Sequence, residues 1–128
     1  MTDYSEYFDE VIQAHEAIER WFAVEGDDAE LERLLARFSP EFSMISPLGR
    51  MLNFAALSAL FRMAGGKKRG FKIELSELRA IALHEHGATV SYRELQTDAS
   101  GLNTDRRSTV VFEKNKSGRV TWRHLQET

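Results

Sequence analysis

The segment RRSTVVFEKNKSGRVTWRHLQ, residues 106–126, decides the fold that the rest of the chain must accommodate. Its first run places Ser108, Val110 and Phe112 on one face, which is the two-residue period of a half-buried strand. The link at residues 114–118 contains the Asn, Ser and Gly that favour chain reversal. The second run alternates in the same way, and one face carries Val120, Trp122, His124 and Gln126. The segment therefore predicts a hairpin whose inner wall begins apolar and becomes polar at His124, as a ligand pocket requires.

The periodicity upstream completes a single domain, residues 1–128. Apolar spacings of three and four predict helices at residues 4–25, 29–38 and 54–63. Thr2 or Asp3 caps the first, Gly26-Asp27-Asp28 ends it and caps the second, and Asn53 caps the third. Residues 42–46 and 50–52 predict a short hairpin, and residues 71–85 and 88–97 predict two long strands. The alternation slips at Ser76 and Glu77, which predicts a β-bulge. We therefore expect an α+β fold: a cone-shaped, strongly curved antiparallel sheet, made of a four-strand meander plus a short N-terminal hairpin, packed against three helices.

Composition narrows the functional classes. The absence of cysteine excludes disulfides and thiolate metal sites. Residues 1–37 contain eleven acids and three arginines, and the remainder contains nine acids and fourteen Lys or Arg, so the helices are acidic and the sheet is basic. These cations are scattered, except at residues 67–69, so no continuous nucleic-acid-binding face is expected. Without a basic leader or an 18-residue apolar run, we expect a cytoplasmic protein that does not bind membranes.

Three local motifs allow two interpretations each. His84 and His86 share a strand face, as metal ligands do, but no third ligand is identifiable; a solvated turn is favoured and no metal or cofactor is expected. The glycine-rich, basic residues 65–70 suggest a phosphate loop, but they follow a helix rather than open one, which favours a helix end. His15 lies within an apolar helix stripe, where it either reaches a cavity or is a core histidine with one partner.

The order of elements resembles the nuclear-transport-factor-2-like superfamily, and within it the SnoaL-like and ketosteroid-isomerase-like domains. The resemblance spans nearly the whole chain, and each motif is short. The residues that carry it are Gly26-Asp27 and those at 38–42, 46–50, 109–112 and 118–124. It implies a homodimer formed through the sheet and a small molecule held inside the cone.

The chain departs from that family's isomerases at two positions. Those enzymes carry an Asp immediately before the hairpin proline, where this chain has Ser46, whose hydroxyl is a weak base. Their phenol donor on the first helix corresponds by count to Glu19, which cannot donate a hydrogen bond when ionised. The resemblance therefore implies the fold and a cavity, but not the isomerase mechanism.

Three functional hypotheses follow. The first is a homodimeric domain that binds a small, largely apolar molecule in a pocket lined by Trp21, Met44, Ser46, Phe61, Tyr92, Trp122 and His124. The second is an isomerase or cyclase acting on a small hydrophobic carbonyl compound, with His124 as acid/base and Tyr92 or Glu94 assisting. The third is a non-catalytic dimerisation or interaction module that uses the outer row Thr89, Ser91, Arg93, Thr109, Val111, Thr121 and Arg123.

Overall fold

Two of the three helices begin at residues whose side chains cap them. The structure, a computed structural model, describes residues 3–101 and 103–128. The helices are α1 (Ser5–Ala23), α2 (Asp28–Leu35) and α3 (Phe54–Ala64). The side chains of Asp27 and Asn53 each accept a 2.9 Å hydrogen bond from a backbone N–H in the first turn of α2 and α3, which confirms both caps. The N-cap of α1 is Tyr4, which makes no side-chain capping hydrogen bond, so the predicted cap at Asp3 is wrong; Asp3 instead accepts a hydrogen bond from the backbone N–H of Ser5. Thr2 lies outside the described residues.

Six strands form one sheet: β1 (Phe38–Ile45), β2 (Met51–Asn53), β3 (Lys72–His84), β4 (Gly87–Thr97), β5 (Asn103–Lys114) and β6 (Val120–Glu127). Their order is β2-β1-β6-β5-β4-β3. Neighbours are antiparallel except β1 and β6, which are parallel. The expected α+β class and three-helix arrangement are confirmed, but the sheet is not wholly antiparallel. Most of the chain, including α3, connects β1 to β6, and such a long crossover permits parallel pairing.

The bulge predicted in the first long strand is confirmed. The register between β3 and β4 shifts between Ser76 and Arg79, and Glu77 adopts a φ of 56°. A non-glycine residue with positive φ is uncommon, and here it accommodates the extra residue of the bulge. The bulge bends β3 at the edge of the sheet.

Two further register shifts, which the alternation did not predict, lie between Ala80 and Ala82 of β3 and in β6. Phe112 of β5 pairs with Trp122, but the adjacent Val111 pairs with His124, so Arg123 is an extra residue. Because side chains alternate strictly along a strand, one extra residue reverses the faces of all residues beyond it. Trp122 therefore faces the helices, and His124 faces away from them.

The core lies between the helices and the inner face of the sheet, where the inner positions of β4, β5 and β6 form successive cross-strand rows. These rows are Ala88–Phe112–Trp122, Val90–Val110–Leu125 and Tyr92–Ser108–Glu127, and all nine residues are buried. Around the first row, aromatic rings fill the space, with Phe38 lying 5.0 Å from Phe42 and Phe112 lying 5.0 Å from Trp122 between centroids. The inner face therefore has a packed apolar end and a polar end.

Candidate ligand-binding site

The polar end of the inner face is built by the alternation of β4 and β5. Beyond the row that contains Tyr92, Glu94 of β4 pairs with Arg106 of β5, and Gln96 pairs with Thr104. Glu94 is 3% exposed although it carries a carboxyl group. Its Oε2 accepts a hydrogen bond from the Gln96 amide, whose Oε1 in turn accepts from the Thr104 hydroxyl at 3.3 Å. Charged groups are buried only when they are paired, and Glu94 meets that condition.

His15 of α1 pairs with Glu94 across the core. Its Nδ1 donates to the carbonyl of Val11 at 2.7 Å, and its Nε2 lies 3.1 Å from Glu94 Oε1. Because Nδ1 already carries a proton, Nε2 needs a second one to donate to a carboxylate, so His15 is an imidazolium. The rings of Tyr92 and Trp122 pack edge-on against the imidazole at 5.2 and 5.8 Å. With both nitrogens engaged, His15 orients Glu94 and does not itself face a ligand.

The pKa values of the pair support this charge state. Burial alone lowers the pKa of His15, but the hydrogen bond and the negative charge of Glu94 outweigh burial, and the pKa is raised above 6.5. Burial raises the pKa of Glu94, yet its hydrogen bond to His15 and the imidazolium charge reverse that effect, and its pKa is lowered. The proton therefore resides on the imidazole.

Arg106 and Glu127 form a second ion pair beside the first. Arg106 Nη1 lies 3.3 Å from Glu127 Oε1, and the Glu127 carboxyl is almost fully buried. Burial raises the pKa of Glu127, and the charge of Glu94 adds to this effect against the attraction of Arg106. With both carboxyl groups ionised, the two pairs have no net charge.

Three buried polar atoms at this end have no hydrogen-bond partner among the described residues: the Tyr92 hydroxyl, Ser108 Oγ and Arg106 Nε. Tyr92 and Ser108 are opposite each other on β4 and β5, and Arg106 lies two residues from Ser108 on the same face. Burial raises the pKa of Tyr92 well above its usual value, and the charges of Glu94 and Glu127 add to this effect, against the smaller stabilisation of the phenolate by the adjacent Ser108 hydroxyl and the Arg106 charge. The Tyr92 hydroxyl therefore keeps its proton and can donate it. Since buried polar atoms are normally paired, these three atoms define the candidate site.

Most residues predicted to line the pocket lie in the core instead. Those buried there are Trp21, Met44, Phe61 and Trp122. The indole N–H of Trp21 donates to the Phe61 carbonyl at 2.6 Å, and the Trp122 indole donates to Glu10 of α1 at 3.0 Å. Ser46 lies in the β1–β2 turn, where its Oγ accepts a hydrogen bond from the Arg50 N–H at 3.2 Å. Of the predicted lining, only Tyr92 reaches the polar end.

The prediction that His124 shares the face of Trp122 is wrong, because the bulge at Arg123 reverses the alternation. The His124 Nδ1 lies 2.8 Å from Ser43 Oγ on the outer face of the sheet. The structure therefore brings Tyr92 and Glu94 together, but not with His124. The histidine that contacts Glu94 is His15, which the sequence placed in the apolar stripe of the first helix.

Four further residues of the polar end were not predicted from the sequence: Gln96, Arg106, Ser108 and Glu127. Three of them were accessible from the sequence, because the alternation that places Tyr92 and Glu94 on one face also includes Gln96, and the alternation of β5 includes Ser108 and Arg106. No comparable sequence signal identifies Glu127, because its position depends on the unexpected bulge.

The remaining motifs lie outside this site. His84, Glu85 and His86 are exposed in the β3–β4 turn, where the His86 N–H donates to His84 Nδ1 at 3.2 Å. Across residues 3–101 and 103–128, no cluster of three or more His, Cys, Asp or Glu side chains could hold a metal ion. Gly65 follows α3, and its Cα packs against the ring of Trp21. None of the helices in the described ranges has the length and apolar character needed to span a membrane.

Comparison with known proteins gives matches among solved structures. No family model matches the chain, and no curated protein matches it. An NTF2-like protein of unknown function from Pseudomonas aeruginosa is 44% identical with a TM-score of 0.90, and the match covers 95% of this chain and 96% of the other. An NTF2-like protein of unknown function from Pseudomonas putida is 14% identical with a TM-score of 0.77, covering 100% and 89%.

A third similar structure is the association domain of C. elegans CaMKII, which is 14% identical with a TM-score of 0.74 and coverage of 97% and 93%. At such low identity, the second and third matches establish a shared fold alone. The P. aeruginosa match is different, because 44% identity extends over almost the full length of both chains. The chain therefore belongs to the nuclear-transport-factor-2-like superfamily.

Proposed function

We propose that this protein is a small-molecule-binding domain whose ligand places a neutral, oxygen-bearing group at the polar end of the inner face. The observation that carries the proposal is the set of three buried polar atoms without a protein partner: the Tyr92 hydroxyl, Ser108 Oγ and Arg106 Nε. Burying such atoms unpaired costs ~1–3 kcal/mol each, and a bound ligand would recover that cost. Partly buried Ile73 and Leu75, opposite Gln96 and Glu94 on β3, offer apolar contact to the rest of the ligand.

The chemistry of these atoms selects the ligand group. Tyr92 and Arg106 Nε donate hydrogen bonds, and Ser108 can donate or accept. A carbonyl or hydroxyl oxygen accepts from such donors. A carboxylate is disfavoured, because Glu94 and Glu127 already neutralise the two cations of the cluster, and a third negative charge would be buried without a counter-charge. The structure thus favours a largely apolar molecule with a ketone, amide or alcohol group.

The test measures binding and stability together. Wild-type protein would be screened by ligand-observed NMR against matched neutral ketones, amides, alcohols and carboxylic acids. Tyr92→Phe and Ser108→Ala each remove an unpartnered hydroxyl, so each variant should be as stable as the wild type or more stable. Each should also bind the best neutral compound about five- to tenfold more weakly, which corresponds to one lost hydrogen bond.

Ser43→Ala is the matched control, because it removes a hydroxyl from the outer face and should leave affinity unchanged. The proposal fails if no neutral compound binds, or if carboxylic acids bind more tightly than their neutral counterparts. It also fails if Tyr92→Phe and Ser108→Ala destabilise the protein while affinity stays at the wild-type level.

A second candidate function is self-association as a homodimer through the outer face of the sheet. This face carries uncharged, partly buried Thr89, Thr109 and Val111, and Met51 at its edge is 72% exposed. The ion pairs Arg93–Asp105 and Arg123–Glu113 lie beside them, and a surface that mixes apolar and polar residues in this way is typical of protein interfaces. The structural similarity to a CaMKII association domain supports the same role.

Light scattering coupled to size exclusion tests this second function. We expect a dimer mass for the wild type and a monomer mass for Val111→Arg, because a buried, unpaired cation at an interface is strongly unfavourable. Ile12→Arg on α1 is the control and should remain dimeric. A monomeric wild type at high concentration would rule out the interface.

A further inference from the structure

The solvent-facing side of α3 is apolar, which is unusual for a helix at a protein surface. Leu57 and Phe61 face the core, whereas the opposite side carries Ala55, Ala56, Ala59, Leu60 and Met63, with Arg62 at its margin. Met63 is 76% exposed and Leu60 is 45% exposed. Surface helices normally place polar residues on the solvent side. We call these five apolar residues the α3 outer face.

The sequence segment that contains the α3 outer face carries only cationic charges. Residues 42–73 contain six Lys or Arg and no Asp or Glu, although the whole chain has a net charge of −3. Lys68 packs over the rings of Phe22 and Phe71 at 5.1 Å. Within residues 3–101 and 103–128, Arg62, Lys67 and Arg69 make no ion pair, so these exposed charges are available to a partner.

We propose that the α3 outer face binds an acidic amphipathic helix of a partner protein. The three alanines form a shallow surface that lets a second helix approach closely, and Leu60 and Met63 supply adaptable apolar anchors at its end. Ala56, Leu60 and Met63 have the four- and three-residue spacing of a helix-binding stripe. Carboxylates flanking the partner's apolar stripe would pair with Arg62, Lys67 and Arg69.

Other occupants fit less well. Helices that insert into a lipid surface present Trp, Phe or several Leu residues, whereas this face is mainly alanine. A second copy offers the acidic surface of α1, but exposed Glu6, Asp9 and Glu16 interrupt its apolar residues Tyr4 and Ile12. The α3 outer face shares no residue with the inner-face ligand site, so the two proposals are independent.

The experiment is a selection from a displayed library of random 16-residue peptides on the folded wild-type chain. Binders are counter-selected on the Leu60→Glu/Met63→Glu double variant, which changes only exposed positions and should retain the wild-type circular dichroism spectrum. We expect enrichment of peptides with apolar residues at spacings of three and four and with Glu or Asp between them. The enriched peptides, once synthesised, should shift the NMR amide signals of α3 in the wild type. They should bind the double variant at least tenfold more weakly than they bind the wild type.

A matched control and two further measurements complete the test. The double variant Tyr4→Glu/Ile12→Glu replaces two exposed apolar residues by Glu at α1 instead of α3. It should bind the enriched peptides with the affinity of the wild type. Raising the salt from about 50 to about 300 mM should weaken binding, because exposed charges are screened. The proposal is overturned if enriched peptides are not acidic or not helical in period, or if none distinguishes wild type from the double variant. It is also overturned if the double variant abolishes self-association, or abolishes sedimentation with phosphatidylserine vesicles, without affecting peptide binding.

Discussion

The buried pair of His15 and Glu94 allows us to predict how Glu94→Gln changes the protonation of His15 and the stability of the protein. The glutamine has nearly the same shape and can still form a hydrogen bond with His15 Nε2 through its amide. It removes the negative charge that holds the proton on an imidazole only 6% exposed. We therefore expect His15 to become neutral in the folded variant, with Nδ1–H still donating to Val11 and Nε2 accepting from the glutamine.

The loss of stability follows from the burial of the pair. Breaking a buried ion pair so that one charge is left alone costs ~3–5 kcal/mol. Here His15 can release its proton and the hydrogen bonds are retained, so we expect a loss of about 1–3 kcal/mol at pH 7. For a chain of this size, that loss corresponds to a decrease in Tm of roughly 4–12 °C.

The pH dependence changes sign, which is the stronger test. In the wild type, the raised pKa of His15 contributes stability that is complete below pH 6.5, its unfolded value, and is lost as pH rises through the folded value. In Glu94→Gln, burial becomes the dominant influence, so the folded pKa falls below 6.5. The variant should then lose stability as pH falls through 6.5, with a slope of at most ~1.4 kcal/mol per pH unit.

Urea unfolding from pH 5.5 to 9 measures both slopes, and nitrogen NMR of the imidazole reports the protonation state of His15 directly. Glu74→Gln, an exposed change on β3, is the matched control and should keep the wild-type profile. A Glu94→Gln variant that retains both the wild-type slope and a doubly protonated His15 would refute the assignment of the imidazolium to the Glu94 pair.

Three further predictions concern the packing, the second ion pair and the outer face. Gly65→Ala should lower the unfolding free energy by about 1–3 kcal/mol, because the new Cβ would lie 2.7 Å from the ring of Trp21; thermal unfolding checks this, and an unchanged Tm contradicts it. In the wild type, the raised pKa of Glu127 means that the folded state loses stability as pH rises above 4.5 and this carboxyl group ionises. Glu127→Gln removes that ionisation, so the unfolding free energy measured in urea from pH 4 to 7 should decline less steeply than in the wild type. His124→Ala should cost ~1 kcal/mol for its hydrogen bond and leave ligand affinity unchanged; weaker binding in titration calorimetry would contradict the placement of the site.

The sequence was sufficient for the elements and for part of the site. Caps at Asp27 and Asn53 and the slip at Glu77 are local signals, because each is a property of a few consecutive residues. The alternation of β4 likewise identified Tyr92 and Glu94 as neighbours on one face. The predicted partner of Glu94, His124, is wrong, because Glu94 pairs with His15.

The amino-acid sequence by itself determined the helices, most strands and the α+β class, because these follow from periodicity and local capping. Tertiary structure alone decided the parallel pairing of β1 with β6, the filling of the apolar end by aromatic rings, and the bulge at Arg123. Strand register depends on contacts between distant residues, and a single extra residue exchanges the two faces of a strand. That exchange moved His124 to the outer face and Glu127 into the polar cluster, and no local pattern in residues 120–127 records it.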